Sequence, residues 1–281
     1  MAAVPRVRRV ILTVLDGLRA DAIDRFSLDN WSAIAGAGAS TRAATTVTPS
    51  VTAAAMGTLF TGAPPAVHGL RSDRFHLPRP DGPIDPMPLV LRRAGLATSA
   101  FLTRMPFLFR GVAARIAARI GIADPSFSGD CAHDVLDAAE SAIEEQRTGL
   151  IFMHWPDADR AGHADGWMSP SYAAAARLLD DALGRLVARA RILADPTTLL
   201  IALADHGGGG VRPRYHDSMH PDDRTIPIVL AGGCVVPGSL GGDVRLLDVP
   251  ATVLHALGVA APRSYAGRPL SEAFGAGRLA A

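Results

Sequence analysis

VILTVLDG, residues 10–17, sets a near-continuous apolar run directly before an acid, Asp16, and a glycine. Runs of this kind, without polar alternation, form strands buried on both faces of a parallel sheet. GLIFMHWPDAD, residues 149–159, and TLLIALADHGGGG, residues 198–210, are built the same way. Each meets a loop that opens on carboxylates or histidines. The carboxyl ends of strands are where open α/β sheets carry their sites.

Working outward, helix-like and strand-like segments alternate. Helices are predicted over 21–34, 52–59, 86–93, 135–145, 173–192 and 249–257, and further strands over 97–102 and 226–231. The 173–192 helix is the clearest, because Leu179, Leu183, Leu186 and Val187 recur at helical spacing before Pro196. Such alternation implies one mostly parallel sheet with helices on both faces, a three-layer α/β/α sandwich. No internal repeat divides the 281 residues. They are expected to form a single domain, with a loose tail at 275–281.

Composition removes several function classes. The net charge of +1 gives no general pull toward nucleic acid or anionic membrane. All 28 basic residues are arginine, so no P-loop lysine and no Schiff-base lysine is available. Cys131 and Cys234 lie in no CxxC pattern and are expected as buried free thiols. The amino-terminal stretch flows straight into Asp16 and reads as a strand rather than a signal peptide. No run reaches the roughly 20 apolar residues that span a bilayer. A cytoplasmic protein is expected. Residues 104–122 interleave Arg110, Arg115 and Arg119 with apolar residues. The expectation is a helix packed on the core with its arginines in water. A lid over an anionic substrate and a membrane-surface helix are the alternatives.

The chemistry is carried by carboxylates and imidazoles, which suit zinc and manganese. Displacement at phosphorus works with two cations about 4 Å apart, each with about three protein ligands and an open position. Asp16, Asp205 and His206 would hold one, completed by the hydroxyl of Thr52. Asp159, His163 and a later histidine, His216 or His220, would hold the other. Each has a plainer reading. Asp16 and Thr52 could cap helices, Asp159 and His163 could form a surface ion pair, and DHGGGG could be a flexible turn. His68, His76, His133, His154 and His255 follow no ligand pattern and are expected to be structural.

Taken together, the segments resemble the alkaline phosphatase superfamily, and within it the type I phosphodiesterase/nucleotide pyrophosphatase group, with phosphonoacetate hydrolase nearby. The resemblance runs from DGLRAD at Asp16, through TPSVTAAAMGTLFTG at Thr52, to PDADRAGH, ADHGG and PDDRTIPIVLAG, and on through LLDVPATVLHALGV to GRPL. It implies an alkaline phosphatase-like fold, two divalent ions, zinc before manganese, and a covalent intermediate on Thr52. It favours His216 over His220, and it puts Ala53 and Asp73 on the substrate's phosphoryl oxygens. In that group an asparagine follows the nucleophile helix in an HGIxxN-like segment. Here the segment is HGLRSD, so Asp73 stands there, and a carboxylate facing a phosphoryl oxygen is repulsive. Sulfatases carry a modified cysteine in a CxPxR pattern, which this chain lacks. Phosphoglycerate mutases share the ADHG-like motif but use serine and a large inserted domain. The expected activity is hydrolysis of a small phosphodiester or phosphomonoester. Carbon–phosphorus hydrolysis and a non-catalytic binding protein on the same fold are the rivals. No nucleic-acid or membrane partner is expected, and the oligomeric state is open.

Overall fold

The computed structural model describes residues 7–74, 80–123 and 125–274. From the amino end, β1 (Arg9–Leu15) leads through α1 (Ala22–Arg25) and α2 (Asp29–Ala37) to β2 (Ala39–Thr45). Then come α3 (Thr52–Thr61), α4 (Pro65–His68) and α5 (Met87–Arg93). β3 (Thr98–Thr103), α6 (Phe107–Ile120) and β4 (Pro125–Gly129) form one crossover unit, and α7 (Ala132–Ala138) and α8 (Glu140–Glu145) lead to β5 (Gly149–Trp155). α9 (Asp157–Asp165) and the long α10 (Pro170–Arg189) precede β6 (Thr198–Leu203). α11 (Pro221–Arg224), β7 (Thr225–Ala231), β8 (Gly238–Ser239) and α12 (Asp248–Ala256) follow.

Eight strands make one sheet in the order β4-β3-β5-β1-β6-β7-β2-β8. β1 is parallel to both neighbours, with Ile11 beside Ile151 of β5 and Leu200 of β6. β3 is parallel to β4 and β5, whereas β7 is antiparallel to β6 and β2. Every residue of β1 and β6 is buried, which is why their sequences show no polar alternation. α2, α7, α9 and α10 pack as one group of helices, and α3, α5 and α12 as another. The architecture is the expected α/β class, one mostly parallel sheet with helices packed on it.

α10 starts at Pro170, after the N-cap Ser169 whose hydroxyl accepts from the Tyr172 N–H. It buries Leu179, Leu183 and Leu186. It also buries Asp180, whose carboxylate accepts from the backbone N–H groups of Asn30 and Trp31 at 3.0 and 2.7 Å. These are first-turn donors of α2, which has no side-chain cap of its own. One helix therefore caps another.

Several expectations are corrected. The predicted 21–34 helix is two helices, because Ser27 adopts φ 51, in the left-handed region. The predicted 135–145 helix begins earlier and divides at Ala139 into α7 and α8. Residues 104–122 pack on the core less than expected: Ala117, Ile120 and Ile122 do so, while Phe107, Leu108, Phe109, Val112 and Ile116 are exposed. Cys234 is buried and Cys131 half-buried, and neither is in a disulfide. His76 and the 275–281 tail lie outside the described residues. Among the described residues no helix is long and apolar enough to cross a membrane.

Candidate metal centre

The centre lies where β1, β5 and β6 end. β1 stops at Leu15, so Asp16 leaves the sheet at the start of a turn through Gly17. Gly17 has φ +71, and a Cβ there would stand 2.8 Å from the Asp159 Cα. Only glycine permits this approach. It brings the Asp159 N–H onto the Asp16 carbonyl at 3.0 Å and the Gly17 N–H onto Asp205 Oδ1 at 3.2 Å. Asp159 and His163 stand one turn apart on α9, which starts just beyond β5. Asp205 and His206 follow β6 and are fully buried. Thr52 is the first residue of α3, at the helix's positive amide end.

These elements converge into two groups of ligand atoms. His163 Nε2 lies 3.1 Å from His216 Nε2 and 3.4 Å from Asp159 Oδ1, and His216 Nε2 lies 3.7 Å from that oxygen. Around His206 Nε2 stand Thr52 Oγ1 at 3.1 Å, Asp16 Oδ1 at 3.3 Å and Asp205 Oδ2 at 3.5 Å. Ligands about 2.0–2.1 Å from a tetrahedral zinc are about 3.3 Å apart, so both groups have the spacing of a coordination shell. The groups adjoin. The rings of His206 and His216 stack at 3.9 Å, and ligand atoms of Asp159, His206 and His216 lie within 4.8 Å of one another.

The histidine tautomers add chemical detail. His163, His206 and His216 each direct Nδ1 at a backbone carbonyl, of Arg214 at 2.8 Å, Gly207 at 2.8 Å and Ser50 at 2.7 Å. A carbonyl only accepts, so each Nδ1 carries the proton and a neutral ring turns an Nε2 lone pair inward. Two such lone pairs 3.1 Å apart repel unless a cation or a proton lies between them. Asp16 Oδ1, Asp159 Oδ1 and Asp205 Oδ2 are buried with no hydrogen-bond partner. Burial, then the Asp205 and Asp159 carboxylates, push the Asp16 carboxyl well above the usual range. Burial alone would lower His206, but Asp205 and Asp159 outweigh it and raise its pKa. A raised acid beside a raised imidazole marks surplus negative potential, which bound cations relieve. The residues present fit two divalent ions.

The other candidates are placed as follows. His220 is away from both groups; its Nδ1 accepts from the Asp222 N–H at the start of α11. Asp73 Oδ1 accepts from the Ala53 N–H at 2.9 Å, which brings both beside Thr52. Arg71 does not pair with Asp73; it donates to the carbonyls of Pro65 and Ala66. His68 is buried against Thr58, as expected of a structural histidine. His154 is not remote. Its Nε2 lies 3.0 Å from Asp16 Oδ2, without hydrogen-bond alignment, and Asp16, His154 and Asp205 form a further ligand-like trio. A lone histidine inside an apolar strand has no spacing partner to announce it. Trp167 is the second residue missed. Its indole N–H donates to the Gly17 carbonyl at 3.0 Å, and its ring meets His163 and His216 edge-on. The helix-ending Gly166, with φ +97, turns the chain so that this ring walls the centre.

The family model described as "Type I phosphodiesterase / nucleotide pyrophosphatase" matches residues 10–83 and 98–247. Among curated proteins, a 2,3-bisphosphoglycerate-independent phosphoglycerate mutase of Synechococcus sp. is 33% identical over 154 residues, 50% of this chain and 27% of its own length. The phosphopentomutase of Edwardsiella ictaluri is 32% identical over 136 residues, 47% of this chain and 30% of its own. The chain thus matches less than a third of those relatives' length. Murine ectonucleotide pyrophosphatase/phosphodiesterase 5 superposes with a TM-score of 0.70 at 15% identity, covering 92% of this chain and 96% of that one. A mutant of the alkaline phosphatase PafA gives 0.71 at 13%, covering 97% and 100%. The phosphonate monoester hydrolase of Silicibacter pomeroyi gives 0.67 at 17%, covering 96% and 76%. These likenesses concern the fold. With most of its length matched by the family model, the chain belongs to the type I phosphodiesterase/nucleotide pyrophosphatase family of the alkaline phosphatase superfamily.

Proposed function

We propose that this protein is a two-metal hydrolase of small phosphate esters, with phosphodiesters first and Thr52 as nucleophile. The observation that carries the reading is the placement of the Thr52 hydroxyl 3.1 Å from His206 Nε2, a nitrogen that the Asp16 and Asp205 carboxylates also face, and at a helix amino end. Asp159, His163 and His216 would hold one ion. Asp16, Thr52, Asp205 and His206 would hold the other. When bound, the ions supply Lewis acidity and lower the pKa of the oxygens that they hold.

The chain's own residues do the rest. Thr52 Oγ forms a bond to phosphorus while the bond to the departing ester oxygen breaks, and water then releases phosphate or phosphomonoester from the phosphothreonine. The positive amide end of α3 attracts the phosphoryl oxygens, with the Ala53 N–H already bound by Asp73. The carbonyls of Arg214, Gly207 and Ser50 keep the three imidazoles in one tautomer. Trp167 packs edge-on against His163 and His216, and His216 is buried. A murine relative's structure was determined with AMP, which supports a phosphate-bearing small molecule as the substrate class.

The test is turnover of bis-p-nitrophenyl phosphate, p-nitrophenyl phosphate and phosphonoacetate by wild type, Thr52→Ala and Thr52→Ser. Thr52→Ala is expected to lose turnover while keeping its fold and much of its metal. Thr52→Ser should retain part of the rate, since a primary hydroxyl still attacks. Near-normal rates in Thr52→Ala would remove Thr52 from this role. Cleavage of phosphonoacetate alone would move the assignment to carbon–phosphorus chemistry.

A further inference from the structure

α6 meets the core along one side, through Ala117 and Ile120, and leaves another apolar side uncovered. Of FLFRGVAARIAARI, Ala117 is the buried residue, while Phe107 and Leu108 are 83% and 85% exposed. Phe109, Val112 and Ile116 are exposed too. They follow one another at i, i+3 and i+7, so they share a face, and helical spacing puts Arg115 and Arg119 along its border. Single exposed apolar residues are ordinary, but a continuous stripe on a helix with so little core packing marks a contact surface.

The charge around the stripe says what covers it. Residues 104–123 contain four arginines and no acid. Arg104 is paired with Asp130, and Arg110 donates to the Met105 carbonyl. Arg115 and Arg119 have no ion pair among the described residues. A second copy meeting this face about a two-fold axis would oppose like charges. An anionic polymer would engage the arginines and leave Phe107, Leu108 and Phe109 in water. A lipid surface with anionic headgroups satisfies both chemistries.

We propose that α6 docks in the plane of an anionic lipid surface. Leu108, Phe109, Val112 and Ile116, which helical spacing puts on one side, enter the acyl boundary, and Arg115 and Arg119 extend to headgroup phosphates. The amino end of α6 follows the carboxyl end of β3, on the sheet edge that carries the candidate metal centre. Docking by that end holds this edge near the bilayer. The overall charge of +1 conceals the surface, because the acids lie elsewhere in the chain.

Co-sedimentation with vesicles tests this, comparing phosphatidylcholine alone with phosphatidylcholine mixed with phosphatidylglycerol. Binding is expected to the mixed vesicles, weakening as salt rises. The double variants Leu108→Ser/Phe109→Ser and Arg115→Glu/Arg119→Glu should each lower the partition coefficient by about tenfold or more. Their thermal midpoints should match wild type, since these side chains support no core. Equal binding by the variants, or no preference for anionic vesicles, would overturn the proposal. So would a complete lack of binding, whether the protein is a monomer or a dimer that the same substitutions dissociate.

Discussion

Asp73 occupies the Ala53 N–H, one residue past Thr52. A phosphoryl oxygen seeking that donor meets a carboxylate already bound to it. The repulsion is largest for a dianionic monoester, smaller for a monoanionic diester, and smallest for a substrate with a cation nearby. Asparagine at this position would still accept from Ala53 and would offer its own N–H to the phosphoryl group. Asp73→Asn is therefore expected to raise kcat/KM toward simple diesters about tenfold, or ~1.4 kcal/mol of transition-state stabilisation. Paired rate measurements on diester and monoester check this. Unchanged rates on both would place Asp73 outside the reaction. His154 makes a separate case. Its Nε2 stands 3.0 Å from the Asp16 oxygen that does not face His206, and we propose that it steadies that carboxylate from behind. His154→Ala should weaken metal affinity or turnover by about 10–100-fold. Titration with a metal-sensitive dye separates the two, and a variant with wild-type affinity and rate would make His154 a plain core residue.

At the scale of elements, the capping of α2 by Asp180 is the clearest dependence of one helix on another. Removing the carboxylate leaves two first-turn amides without their acceptor in a buried setting. Asp180→Ala should cost about 2–3 kcal/mol, and Asp180→Asn less, because its carbonyl still accepts. Urea denaturation measures this, and a midpoint within error of wild type would show that α2 does not need the cap. The same elements show what a sequence reveals. β1, β5 and β6 were legible because strands buried on both faces read as unbroken apolar runs. α10 was legible because one of its sides is buried at helical spacing. β2 was not, since ASTRAAT buries only Ala39 and Ala44 and so has neither pattern. β4 was not, because it starts at a proline on the sheet edge, where pairing rather than side-chain type defines the strand. The break in the first predicted helix depends on the backbone angle of Ser27, which residue type does not disclose.

For the whole molecule, the candidate centre draws on segments more than a hundred residues apart. Asp16, Asp159 and Asp205 were readable because each stands just past the end of an apolar run. His163 was readable from its four-residue spacing to Asp159. The separation of His216 from His220 required the fold, because only His216 stacks on His206 while His220 caps α11. Trp167 and His154 act through contacts that no linear spacing encodes. The central claim is that these residues hold two ions that turnover requires. The most direct measurement is metal content per chain by mass spectrometry, read beside the rate on bis-p-nitrophenyl phosphate during chelation and restoration. The account predicts about two ions per chain in active protein, a loss of rate that follows their removal, and recovery with zinc or manganese. Full turnover by protein stripped of metal would contradict it.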